Sequence, residues 1–231
     1  MNEAERIKNV YKQRKSKQKC NLYSYFNKGY LVMDHQRERV MLDLLRKFNF
    51  SKLADKKILD VGCGTGILLR EFIKYGAKPK YLYGIDLLED RIKIAEEISP
   101  NINFRYGNAI KLPYKDNSFD IVAQFTVFTS ILKKEIKNEI AKEMLRVLKE
   151  EGIILWYDFS YNNPRNRDVK GIKKKEIVEL FPDCKFTFKR ITLAPPITRF
   201  LAPKSWLLCY LFEKLSVLCT HYLVTIRKEN N

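Results

Sequence analysis

Ile58-Leu59-Asp60-Val61-Gly62-Cys63-Gly64-Thr65-Gly66 reads as a buried strand running into a glycine-rich turn. A second hydrophobic segment, Tyr83-Gly84-Ile85-Asp86-Leu87, reaches its acidic residue twenty positions beyond Gly66. Glycines let the backbone approach a ligand closely, and a carboxylate at the next strand tip accepts hydrogen bonds from ribose hydroxyls. The two segments together point to a nucleoside site. A dinucleotide fingerprint would read Gly-x-Gly-x-x-Gly, opening onto a helix N-terminus that faces a pyrophosphate. Here the third glycine comes one residue early, as Gly62-x-Gly64-x-Gly66.

With that spacing the stretch resembles the first motif of the class I S-adenosylmethionine (SAM)-dependent methyltransferases. Further segments continue the resemblance in the family's order. Gly107-Asn108-Ala109 with Leu112-Pro113-Tyr114 is similar to the third motif, and Ser118-Phe119-Asp120-Ile121-Val122 to the fourth strand. Leu145-Arg146-Val147-Leu148-Lys149 and Gly152-Ile153-Ile154-Leu155-Trp156 are similar to the helix and fifth strand that follow. The resemblance covers about residues 55–160. It implies an α/β fold: a Rossmann-like, seven-stranded, mostly parallel sheet with an antiparallel last strand and helices on both faces. It also implies SAM as cofactor. Asp60, Gly62, Cys63, Gly64 and Gly66 would surround it at the turn, Asp86 and Leu87 at the ribose, Asn108 and Ala109 at adenine, and Gln124 after strand four. The family often has Asp where this chain has Asn108, which would turn an amide toward the adenine amino group.

Length and composition fit one globular domain. The chain has 231 residues, 45% of them hydrophobic and 31% charged, enough to bury a sizeable core. The first twenty residues are polar and lysine-rich without an apolar core, so no secretory leader is expected. Cys20, Cys63, Cys184, Cys209 and Cys219 are scattered and odd in number, which argues for a reducing cytoplasm and against a zinc site. The net charge of +17 fits phosphates in nucleic acid, a nucleotide sugar or an anionic membrane, or plain solubility. Midchain clusters such as Lys133-Lys134 and Lys173-Lys174-Lys175 read as solvated helix flanks. Arg6, Lys8, Lys12, Arg14, Lys15, Lys17 and Lys19 have little acidic compensation, so that segment reads as a mobile arm or a contact with an anionic surface.

Hydrophobic periodicity predicts a polar helix over 3–19 and an amphipathic one over 34–48, then alternating strands and helices. Residues 1–50 read as an N-terminal helical segment packing on or capping the core. Residues 51–231 read as the methyltransferase domain. Before the closing strand, expected over 222–227, residues 194–220 form an apolar insertion. It leaves a parallel strand and re-enters an antiparallel one, which places it at the carboxyl edge of the sheet, where open α/β folds bind ligands. Its longest apolar run, Trp206 to Phe212, is too short to span a bilayer, which takes about 20 residues. A buried lid over the site, a dimer contact and a lipid-facing surface all remain open. The expectation carried forward is a lid in which Trp206, Leu207, Tyr210 and Phe212 enclose the acceptor.

Methyl transfer from a sulfonium is an in-line displacement with a good leaving group, so positioning does much of the work. A hydroxyl acceptor gains from a general base. Strand position makes Asp158, Tyr157 and His221 the candidates, with His221 expected to open the last strand; His35 reads as a surface or capping residue. Gln124, Thr126 and Thr129 follow strand four, where nitrogen-modifying DNA enzymes of this superfamily carry Asn/Asp-Pro-Pro-Tyr/Phe/Trp; nothing of that kind follows Val122. Asn162-Asn163-Pro164-Arg165-Asn166 follows strand five and reads as a turn-rich loop beside the substrate. These features favour a cytoplasmic enzyme, peripheral to the membrane at most, that methylates an oxygen of a small-molecule, glycan or lipid-linked acceptor, as a monomer or homodimer. RNA methylation is the alternative carried by charge, and a non-catalytic SAM-binding regulatory protein is the alternative from another class.

Overall fold

The computed structural model describes residues 2–17, 22–162 and 166–229. Lys19, Cys20 and Asn163-Pro164-Arg165 lie outside the described residues, as do the side chains of Lys15 and Lys17. Two helices come first, α1 (Glu3–Lys17) and α2 (Lys28–Lys47). There follow β1 (Ile58–Val61), α3 (Ile67–Lys74), β2 (Leu82–Asp86), α4 (Glu89–Ile98), β3 (Asn103–Tyr106) and β4 (Phe119–Phe125). The chain then forms α5 (Lys134–Val147), β5 (Leu148–Phe159), α6 (Lys174–Leu180) and β6 (Cys184–Leu193). Two short helices, α7 (Pro195–Leu201) and α8 (Trp206–Phe212), precede β7 (Cys219–Lys228).

The seven strands form one sheet in the order β3-β2-β1-β4-β5-β7-β6. β7 runs antiparallel to both neighbours, and the other described pairings of the sheet are parallel. Every residue of β1 is buried, because a central parallel strand is covered on both faces and can carry apolar side chains throughout. One face packs Met41, Leu44, Leu69, Phe72 and Ile92 from α2, α3 and α4. The other packs Ile140, Met144 and Ile177 from α5 and α6 against Val61, Val122 and Trp156. Strand order reverses at β1, between β2 and β4, and in such sheets the crevice at the carboxyl ends of those strands takes the ligand.

Two element boundaries differ from the sequence expectation in ways that matter for the site. α2 starts at Lys28 rather than at residue 34, because the Asn27 side chain accepts the Gly29 and Tyr30 N–H groups and caps the helix there. β7 starts at Cys219 rather than at residue 222, so His221 lies inside the strand, opposite Phe159 and Ile191.

Candidate functional site

The glycine turn is shaped by three left-handed residues, Gly62, Gly64 and Gly66, with φ of 75°, 55° and 79°. A Cβ on Gly62 would stand 2.4 Å from Val127 Cγ2, and one on Gly66 2.6 Å from Phe104 Cζ, so these two let the turn pack against the protein. Gly64 is different. The nearest atom to a Cβ there would be Arg91 Nη1 at 3.5 Å, so its missing side chain leaves a cradle open.

Asp86 ends β2 beside that cradle. Its Oδ2 accepts the Gly64 N–H at 2.8 Å and its Oδ1 accepts the Leu88 N–H at 2.8 Å. Burial pushes the Asp86 carboxyl above its usual range, and the two backbone donors pull it part of the way back. Each oxygen has further acceptor capacity toward the crevice. Asp60, buried behind the turn, is pushed up to about 8 by burial and by the neighbouring Asp86.

At the switch point a cavity of about 330 Å³ opens over these groups, within the size range of small-ligand sites. Gly62, Asp86, Leu87, Asn108 and Ala109 line it, as do Leu88, Arg91, Ile110, Val127 and Ile131. Asn108 turns its carbonyl oxygen back onto the Ile110 N–H at 3.2 Å and so shapes the turn after β3. Asp60, Cys63, Gly64, Gly66 and Gln124 are not among the lining residues; they form the turn, or the layer beneath it. Gln124 is fully buried, and its Oε1 accepts the Val127 N–H at 3.1 Å, holding the loop that follows β4. In that loop Thr126 lines the cavity with φ at 61°, an uncommon conformation for a β-branched residue and one found at sites that need a fixed side-chain direction.

The roof of the cavity is α1, which contributes Glu3, Ala4, Ile7 and Tyr11. Its placement is specific. Glu3 Oε1 accepts the Leu132 N–H at 2.7 Å, Arg6 donates to the Ser130 carbonyl at 2.6 Å, and the Tyr11 hydroxyl meets Ser130 Oγ at 3.2 Å. Lys8 reaches the Tyr106 hydroxyl at 2.9 Å, and the Arg91 guanidinium lies over the Tyr11 ring. Arg6, Lys8 and Arg14 thus have protein partners, which corrects the reading of this stretch as a free basic arm. The signal that could have found this roof is the spacing of Ala4, Ile7 and Tyr11, which repeats at three and four residues on one helical face.

The three candidate bases lie elsewhere. Tyr157 is buried and its hydroxyl pairs with Thr192 Oγ1 at 2.7 Å; burial pushes its pKa up to about 12. The His221 ring stacks on Tyr157 at 4.8 Å, and burial, helped by the Arg37 charge, lowers its pKa to about 4. Phe125, which lines the cavity, packs its ring 5.2 Å from that of Tyr157, and neither Tyr157 nor His221 is among the lining residues. Asp158 is 1% exposed and accepts the Thr129 hydroxyl at 2.5 Å. The expectation that these residues stand at the strand tips, facing the acceptor, is therefore corrected. β5 runs on to Phe159 and β7 begins at Cys219, so all three positions are inside the sheet.

The insertion also departs from its expected place. Trp206 packs edge-on against His35, and Arg39 from α2 ion-pairs with Glu213 and lies over the Tyr210 ring. No residue of 194–220 is among those lining the cavity. The reading of Trp206, Leu207, Tyr210 and Phe212 as a lid around the acceptor is corrected: α2 carries the insertion on the β6–β7 side of the sheet.

Asp158 has a measurable consequence. Burial pushes its pKa up to about 7 from the ordinary 3.8, and the Thr129 bond offsets only part of that. The native state then holds the proton more tightly than the unfolded chain does. Stability from this group is full below the ordinary carboxylate pKa and is lost as pH rises through about 7. Asp158→Asn keeps an oxygen for Thr129 and cannot ionise. Relative to this variant, wild type should lose on the order of a few kcal/mol between about pH 4 and pH 8, read from urea unfolding at a series of pH values. A pH-independent difference would show that Asp158 is not the titrating group.

A family profile described as "Methyltransferase domain" matches residues 52–191. The demethylmenaquinone methyltransferase of Geobacillus stearothermophilus is 32% identical over 149 residues, covering 61% of this chain and 60% of that protein. The ubiquinone/menaquinone biosynthesis C-methyltransferase UbiE of Pseudomonas putida is 32% identical over 120 residues, 49% of this chain and 45% of that one. The chain thus spans less than two thirds of the length of these curated relatives. Among solved structures, YcgJ of Bacillus subtilis superposes with a TM-score of 0.56 at 17% identity, covering 83% of this chain and all of that one. The [4+2]-cyclase SpnF superposes with a TM-score of 0.61 at 19% identity, covering 84% and 82%. These two likenesses show the fold. With the matched profile over more than half of its length, the glycine turn and the seven-stranded sheet, the chain belongs to the methyltransferase-domain family, in the class I SAM-dependent group.

Proposed function

We propose that the chain transfers the methyl group of SAM to a lipophilic aromatic small molecule of the quinone-precursor type. The observation that carries this reading is the cavity itself: the Asp86 carboxylate and Gly62 of the glycine turn at one side, and aliphatic side chains under a helical roof at the other. The residues fit SAM. Gly64 leaves space for close backbone approach, Asp86 offers acceptors to ribose hydroxyls, and Leu87, Ala109 and Ile110 give an apolar slot for adenine. When bound, SAM supplies an electrophilic methyl on a sulfonium.

The protein's share is then positioning and exclusion of water. Ile7 and Tyr11 above, with Val127 and Ile131 below, make an apolar enclosure that suits an aromatic ring. Holding an electron-rich ring in a near-attack pose beside the methyl supplies much of the rate. Both carboxylates lining the cavity already have partners: Glu3 holds Leu132 and Arg6, and Asp86 holds the turn. An acceptor that enters as its phenolate, its proton left in solvent, would attack the methyl through a ring carbon or its oxygen while the C–S bond breaks to leave the neutral thioether; attack at carbon then releases the ring proton to water. The relatives named as C-methyltransferases favour the carbon, against the oxygen preferred from sequence. RNA methylation rests on the net charge of +17 alone, and Arg6, Lys8 and Arg14 of the N-terminal segment are engaged within the protein.

Turnover separates this reading from the non-catalytic alternative, since one fold hosts more than one function. The test is an incubation with SAM carrying a labelled methyl, and with prenylated naphthol and phenol acceptors or bulk RNA, read by mass spectrometry. Label on a ring carbon of a prenylated acceptor is the expected result. Label on RNA, or SAM binding with no transfer to any acceptor, would overturn the reading.

A further inference from the structure

The insertion carries its apolar side chains outward. α8 buries Cys209 alone, while Trp206, Leu207 and Leu211 are 46, 65 and 53% exposed. Phe200 on α7 and Leu215 and Val217 after α8 add 63, 52 and 73%. Isolated exposed apolar residues are ordinary, but a run of this density marks a contact surface. The surface extends onto the entry to α2: a Cβ on Gly29 would stand 3.2 Å from Arg199, so the first turn of α2 lies against α7, and Phe26 in the loop just before it is fully exposed.

Its charges are all but one positive. Arg199, Lys204 and Lys214 stand within residues 195–217 against the single carboxylate Glu213, which is buried and held by Arg39. The cations are spread among the exposed rings. Lys204 Nζ lies 3.8 Å over the Phe200 ring, and Lys214 Nζ 4.4 Å over the Tyr210 ring. Aromatic and aliphatic side chains flanked by snorkelling cations match the boundary between acyl chains and anionic headgroups. A helix as short as α8 lies in such a boundary rather than crossing it, and among the described residues no helix is long and apolar enough to span a membrane. A second copy is the poorer occupant, because a two-fold contact would set this cationic surface against itself in a chain of net charge +17.

We infer that residues 199–217, with the loop before α2, form a docking surface for an anionic phospholipid membrane. This goes beyond the proposed reaction and deepens it: a lipophilic acceptor would meet the enzyme where it is dissolved. The inference rests on that reading only for its purpose, because the surface is tested without SAM or acceptor.

Co-sedimentation of the full chain with vesicles of phosphatidylcholine alone, and of phosphatidylcholine mixed with phosphatidylglycerol, reads the binding. Partition onto the mixed vesicles is expected, weaker onto phosphatidylcholine and weakened by salt. The double variant Leu207→Glu/Leu211→Glu should lower it about tenfold or more with an unchanged melting temperature, since both positions are exposed. Lys204→Glu/Lys214→Glu should lower it on mixed vesicles only. No partition of the wild type, or partition untouched by the leucine variant, would overturn the inference. A wild-type dimer that the leucine variant converts to monomer, without vesicle binding, would assign the surface to a second copy instead. None of these failures would alter the outcome of the labelled-SAM incubation, which uses no vesicles.

Discussion

Asp86→Ala should raise the dissociation constant for SAM about a hundredfold or more, measured by calorimetry on a variant shown to be folded. Two hydrogen bonds from ribose hydroxyls to a carboxylate are worth roughly 1.5–3 kcal/mol each, and about 1.4 kcal/mol is a factor of ten. The same carboxylate fixes the Gly64 and Leu88 N–H groups at 2.8 Å, so its loss also loosens the cradle. Asp86→Asn, which keeps one oxygen, should cost less. Gly64→Val should weaken SAM as well, because a branched side chain fills the cradle and strains a residue at φ 55°. Unchanged affinity in Asp86→Ala and Gly64→Val, or tighter binding of NAD than of SAM, would remove the basis of the methyltransferase reading.

Trp156→Ala should have the largest effect on stability. Trp156 is fully buried in β5, with its ring 4.3 Å from Phe128 and 5.8 Å from Phe181. Emptying such a site costs about 3–5 kcal/mol in lost transfer energy and cavity formation, or roughly 6–20 °C in melting temperature for a domain of this size. Phe128 belongs to the loop that carries Thr126, Val127 and Ile131 to the cavity, so SAM affinity should fall too, even below the melting transition. Trp156→Phe, which keeps most of the volume, should recover much of both. An Ala variant as stable as wild type would mean that this layer does not support the loop.

The difference between the two experiments follows how each residue was legible. Asp86 was readable from sequence, because a strand end and a glycine turn about twenty residues apart are local patterns with one geometric meaning. The strands were readable for the same reason: Ile58–Val61 and Ile153–Trp156 are buried throughout, and apolar but for Asp60, because the sheet is covered on both faces. The carboxyl-edge location of residues 194–220 also followed from connectivity, since β6 is parallel and β7 antiparallel.

Side-chain direction beyond those patterns was not readable. Asp158 and Tyr157 alternate across the sheet, and a strand end extended by one residue, to Phe159, takes Asp158 off the tip. His221 moved inside for the same reason, when β7 proved to begin at Cys219. The basic N-terminal segment looked solvated because its partners, the Leu132 N–H, the Ser130 carbonyl and the Tyr106 hydroxyl, are more than ninety residues away in the chain. The insertion looked buried because an all-apolar helix usually is; it is exposed because α2 offers it one face and nothing described covers the other.

The sequence by itself determined the strand order class, the glycine turn, the carboxylate at the tip of β2 and the family, since each depends on spacing within a few residues or between consecutive elements. Only the tertiary structure decided that α1 roofs the cavity, that Tyr157, Asp158 and His221 lie beneath the surface, and that the insertion faces outward. Those outcomes depend on which distant groups satisfy Glu3, Arg6 and Arg39, and on where a strand begins or ends to within one to three residues. Local propensity does not encode either quantity; contacts between segments far apart in the chain do.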